Sequence, residues 1–144
     1  MYFKYRKNIR NNPGSETWDD KTSLNLFDYQ LDASATYGNQ DLENSIVFSD
    51  YGDSNVIAVT SIWYYPSTKA IVEFDMLFND AFDWATDGDT TKMDLQNIAT
   101  YEFGHTVGLA DLYTDSCKEV TMGIPRKGIL KREAWNYRIS RGFS

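Results

Sequence analysis

The run Tyr101-Glu102-Phe103-Gly104-His105-Thr106-Val107-Gly108-Leu109-Ala110-Asp111 holds residue types and spacings that could build a metal centre. Residues four apart on a helix lie on one face, so positions 101 and 105 can aim two side chains at one ion. Glu102 lies beside them, placed as general base toward a water that the ion activates. Gly108 has no Cβ and can take positive φ, so it can end the helix and turn the chain back. Asp111 can then supply a third ligand. Three protein ligands and one open position make the usual catalytic zinc site. The plain alternative is an ordinary core helix whose His105 is hydrogen-bonded.

His105 is the only His in the chain, so no second imidazole can replace Tyr101 at the first ligand position. A phenol has a reference pKa of about 10 and is neutral near pH 7. To bind zinc as an anion it must ionise and find room.

With Tyr101 read as His, the run becomes HExxHxxGxxD. It resembles the metzincin clan of zinc endopeptidases and, within it, the matrixin-like group. Phe103 to Leu109 is similar to the end of the matrixin active-site helix. Asp in place of a third His resembles a smaller set of microbial members. Glu119-Val120-Thr121-Met122 is similar to the Met-turn beneath the metal, with Met122 as its Met. Ser15 to Asp20 resembles the end of the first helix of such domains, where a Trp, here Trp18, packs under the sheet. The strand expected before that helix is not recognisable.

The resemblance covers roughly residues 15–122. It implies an α+β fold: a twisted, mostly parallel small sheet with an antiparallel edge strand and an active-site helix behind it. It implies hydrolysis of peptide bonds in a peptide or protein substrate, with zinc as cofactor. Glu102 is then the base, His105 and Asp111 are ligands, and Tyr101 holds a degenerate ligand position. Substrate main chain would lie along Ile57, Ala58, Val59, Thr60 and Ser61, because a free sheet edge offers N–H and C=O groups to an extended peptide. Without the resemblance, a plain structural strand fits those residues equally well. Structural calcium and an extracellular location are also implied. An inactive remnant of such a peptidase and a non-catalytic peptide-binding module compete with the active enzyme.

Composition agrees with one domain. At 144 residues, 42% hydrophobic and 15% aromatic, the chain can build a real core. No run of about 18 apolar residues is present, so no membrane helix is expected. Met1 to Lys7 carries charge without an apolar run after it, which does not read as a signal peptide. The single cysteine, Cys117, excludes an internal disulfide framework and reads as a lone thiol. Charge divides the chain. Residues 1–10 and 123–144 hold 10 of the 14 basic residues, whereas 11–122 holds 4 basic and 20 acidic residues. An acidic middle argues against nucleic-acid binding, and the basic ends read as solvated tails. The segments are therefore 1–14, 15–122 and 123–144, the outer two atypical for the family.

The remaining elements follow from local pattern. Leu24–Leu31, Asn44–Asp50, Val56–Tyr65 and Ala70–Phe78 read as strands. In the last, Ala70, Val72, Phe74, Met76 and Phe78 alternate with Glu73 and Asp75, which predicts one buried face. Asp80, Asp83, Asp87 and Asp89 around Gly88 form an acidic loop that could hold calcium or simply face solvent. Thr91 to Asp94 fits a capping box, predicting a helix from about Lys92 to Val107.

The tail lacks the amphipathic stripe expected after a Met-turn. Codons can be chosen for Met122–Ser144 so that the frame from the third base of the Met codon encodes GYTSEGDTKKRSLELQDIAGIQ. That string resembles the missing loop and helix. The tail then reads as an out-of-frame translation, leaving apolar surface exposed under residues 95–103. The coding nucleotide sequence tests this: a stop or an unrelated string in that frame would refute it.

Overall fold

The structure is a computed structural model that describes residues 2–6, 13–23, 26–114, 116, 120–123 and 135–139; of residues 2–6, 13, 29 and 135–139 it describes the backbone. Cys117 and Glu119 lie outside the described residues, as do Leu24 and Asn25 at the start of one expected strand.

β-Branched and aromatic residues between 56 and 79 form an antiparallel hairpin of β4 (Ala58–Tyr64) and β5 (Ile71–Asn79). Lys69, at φ 61°, sits in its turn. Parallel to β5 runs β3 (Asn44–Ser49), and beyond it β1 (Tyr2–Arg6) and β2 (Asp28–Leu31) continue the parallel set. The sixth strand, β8 (Trp135–Ile139), pairs in parallel with β4, giving the order β2-β1-β3-β5-β4-β8. Among the described residues two helices complete an α+β fold with a mixed sheet: α1 (Pro13–Asp19) and α2 (Leu95–Thr106). The short pair β6 (Trp84–Ala85) and β7 (Met93–Asp94) leads into α2. No helix among the described residues is long and apolar enough to cross a membrane.

The main core lies between the sheet and α2. Ile46, Ala58, Ile62, Phe74, Met76 and Phe78 of the sheet meet Ile98, Ala99 and Phe103 of the helix. Phe103 packs edge-on against Phe27 and Phe74. Each such large side chain, fully buried, contributes about 1.5–3 kcal/mol. Helix α1 lies against α2 so closely that a Cβ on Gly14 would sit 2.6–2.7 Å from Ala99 and the Thr100 nitrogen.

Several expectations need correction. The strand before α1 exists: β1 enters the sheet between β2 and β3. Phe3 and Tyr5 alternate with Lys4 and Arg6, but the run is only five residues long and rich in charge, a weak strand signal. β5 has two buried faces, because Glu73 and Asp75 are as fully buried as Phe74. The loop over residues 36–43 covers that second face. It donates the Asp41 and Leu42 N–H groups to Glu73 and the Gly38 N–H to Asp75, which also accepts from Ser45. These bonds make charged groups tolerable on an inner face. Burial still pushes the Asp75 carboxyl up to about 7.

Asp94 is the N-cap of α2 rather than its third residue. Its carboxylate accepts from the Asn97 N–H, while Thr91 turns back to bond Asp89. Trp18 sits against the core and donates its indole N–H to the Thr100 carbonyl of α2, at 2.7 Å, instead of lying under the sheet alone. Ile98, Ala99, Tyr101 and Phe103 are buried, so no apolar surface is exposed along 98–103. The exposed large apolar residues near the helix are Val107, Leu109, Leu112, Tyr113 and Val120, all beyond its end. Finally, β4 is antiparallel as expected but is not the outermost strand, since β8 covers its outer edge.

Candidate functional site

Helix α2 ends as its glycine requires. Gly108 takes φ 90°, its N–H bonds the His105 carbonyl, and the Leu109 N–H bonds the Gly104 carbonyl. This is the Schellman pairing, which a residue with a Cβ enters only at a cost. The turn sends Leu109 to Asp111 back along the helix end. A bond from the Leu112 N–H to the Met122 carbonyl, 2.9 Å, fixes the returning strand of chain.

Three side chains converge there. Tyr101 and His105, one turn apart, stand with rings perpendicular and centroids 4.9 Å apart. The Tyr101 hydroxyl donates to Asp111 Oδ1, and His105 Nε2 lies 3.4 Å from the same oxygen. Asp111 Oδ2 accepts from the Tyr113 hydroxyl at 3.0 Å. Tyr101 and His105 are almost fully buried.

The other nitrogen of His105 decides what the cluster can do. Nδ1 is 2.8 Å from the Leu109 carbonyl oxygen. A carbonyl only accepts, so Nδ1 carries the proton and neutral imidazole turns a lone pair at Nε2 toward a carboxylate oxygen. Asp111 Oδ1 already accepts the Tyr101 hydroxyl proton, so a second proton on the ring or a cation would come in addition to that bond. Burial pushes the His105 pKa down, outweighing the Leu109 and Asp111 contacts that raise it, and so opposes the ring proton. An imidazole whose other N–H is anchored on a backbone carbonyl is oriented as a metal ligand would be. His105 and Asp111 are residue types that can ligate zinc. Tyr101 fits only as a neutral oxygen, because burial first, then the Asp111 bond, pushes its phenol far above the usual range.

Glu102 points to the sheet. It is fully buried and accepts from the Thr60 hydroxyl of β4 at 2.5 Å. Burial pushes its carboxyl up to about 8, partly offset by that bond. Met122 is buried beneath α2, where its sulfur occupies the space a Cβ on Gly104 would need.

The expected peptide-lining residues are dispersed by the strand's alternation. Ala58 faces the main core and Val59 the second one; Ile57, just before β4, also joins the main core. Thr60 serves Glu102, and Ser61 bonds the Tyr37 hydroxyl at 2.8 Å. All five are buried, and main-chain pairing with β8 occupies the edge from Ala58 to Ile62. Thr60, expected to line a peptide, instead bonds Glu102. Tyr113 was missed from sequence, with no signal beyond its nearness to Asp111.

The acidic loop bonds within itself. Asp89 takes the Thr91 N–H and hydroxyl and lies 3.5 Å from Lys92, and Asp87 accepts the Asp89 N–H. Among the described residues no group of three or more His, Cys, Asp and Glu side chains is gathered. No protein-family model matches the chain, and no curated protein matches it.

Proposed function

We propose that this chain is a matrixin-like zinc endopeptidase domain in which His105 and Asp111 are the zinc ligands and Tyr101 holds a degenerate third position. The observation that carries the reading is the pair of acceptors, His105 Nε2 and Asp111 Oδ1, brought together at a helix end with Nδ1 anchored on Leu109. Support also comes from the antiparallel β4, the helix behind the sheet, the strand ahead of α1 and Met122 beneath Gly104. An extracellular location belongs to the same proposal.

When bound, zinc supplies Lewis-acid polarisation of a scissile carbonyl and activation of a water. The chain's own residues do the rest. The Leu109 carbonyl fixes the His105 tautomer, and Tyr113 helps to orient Asp111. Thr60 holds one Glu102 oxygen; as the base, Glu102 would take a proton from water and return it to the leaving amine, which requires this buried carboxyl to turn toward the helix end.

The hydrogen bond from Tyr101 to Asp111 favours one second reading. It satisfies the carboxylate without an ion, as an inactive remnant would. Restoring the first ligand separates the chemistry from that question. In a folded Tyr101→His protein, Glu102→Ala should lower peptide cleavage by at least about 100-fold while zinc binding is kept. Retained cleavage in the double variant would place the base elsewhere.

A further inference from the structure

The outer edge of β4 already holds a strand. Residues Ala58 to Ile62 pair in parallel with Trp135 to Ile139, in the register Ala58 to Trp135, Thr60 to Tyr137 and Ile62 to Ile139. The side chains of Ala58, Val59, Thr60, Ser61 and Ile62 are buried. Thr60 is tied to Glu102 and Ser61 to Tyr37. What β4 offers outward is therefore main chain, a row of N–H and C=O groups that an open edge leaves unpaired. Pairing of this kind asks little of the incoming sequence, so it does not depend on how the tail arose.

We propose that Trp135–Ile139 is a built-in competitor for this edge, a strand that must leave before an extended peptide can pair with Ala58–Ile62. The proposal rests on the reading of β4 as the peptide-accepting strand, but not on zinc or on cleavage. A tethered segment competes at an effective concentration in the millimolar range, against which a free peptide at micromolar concentration is weak. If the tail fills the edge nine-tenths of the time, only about a tenth of the molecules are open, and the apparent affinity for an added peptide falls about tenfold. The same occupancy slows hydrogen exchange of the tail strand's paired amides about tenfold.

The test uses the full chain and a fluorescein-labelled peptide copying residues 133–141. Asn136→Pro combined with Tyr137→Pro removes an N–H of each parity, so whichever faces β4 is lost. The double variant should bind the peptide about tenfold or more tightly than the unmodified chain. In the unmodified chain, amides of 135–139 should exchange at least about tenfold slower than in a random coil. Equal binding by the two folded proteins, including no binding by either, overturns the proposal. So does exchange of 135–139 at the coil rate, a result that stands even where the proline variant fails to fold. Neither arm contains metal or measures hydrolysis, so a failed peptidase reading leaves both interpretable.

Discussion

Replacing Tyr101 by His should tighten zinc binding by more than about 100-fold. The estimate has a floor: losing a mere supporting partner of a metal ligand costs about 10–100-fold, and Tyr101 stands at a ligand position itself. Two features make the phenol a poor ligand. Burial and the neighbouring Asp111 carboxylate both push its pKa up, so it stays a neutral hydroxyl. That hydroxyl also occupies Asp111 Oδ1, the oxygen nearest His105. An imidazole at 101 would bring a neutral nitrogen donor and release the carboxylate. Calorimetry on both proteins reads the difference, and equal affinities would refute the three-ligand arrangement.

Gly14→Ala should destabilise the fold by about 1–3 kcal/mol, the usual cost of overpacking a filled interior. Ala favours helix over Gly by roughly 0.5–1 kcal/mol, so propensity alone has the opposite sign. Packing outweighs it because the added Cβ would lie 2.6 Å from the Ala99 Cβ and 2.7 Å from two backbone atoms, the Ala99 carbonyl carbon and the Thr100 nitrogen. The two helices would have to part, loosening Trp18 from the Thr100 carbonyl. Gly104→Ala is the informative contrast. Its Cβ meets the Met122 sulfur, near the end of a flexible side chain that can move aside at smaller cost. Urea melts of the three proteins should rank unmodified, Gly104→Ala and Gly14→Ala in falling order of stability. A Gly14→Ala protein as stable as the parent would contradict the close crossing.

Sequence made the site's frame legible where one residue fixes one backbone event. Gly108 had to end the helix, and it does so at φ 90°. The β-branched run after Asn55 had to be a strand, and Phe103 had to face the core. Reading failed where the deciding partner was distant. Alternation in β5 implied a wet face, yet four backbone N–H groups of residues 38–45 make Glu73 and Asp75 inner residues. Capping chemistry at 91–94 suggests a helix start near Lys92, but Met93 and Asp94 pair with Trp84 and Ala85, and the helix starts after Asp94. The outermost strand carried a signal that a search for a helical stripe passes over: Trp135, Tyr137 and Ile139 alternate with Asn136 and Arg138. At the site, spacing brought 101, 105 and 111 together, but the partners that orient them, Leu109 and Thr60, act through a carbonyl and a strand 42 residues away from Glu102.

Zinc titration of the folded Tyr101→His protein and of its His105→Ala derivative tests the central claim most directly. His105 is the only native imidazole, and its Nε2 faces the Asp111 carboxylate. The expected result is that the derivative binds zinc at least about 100-fold more weakly with the fold unchanged. Equal zinc affinity in the two folded proteins would contradict a metal centre at the end of α2.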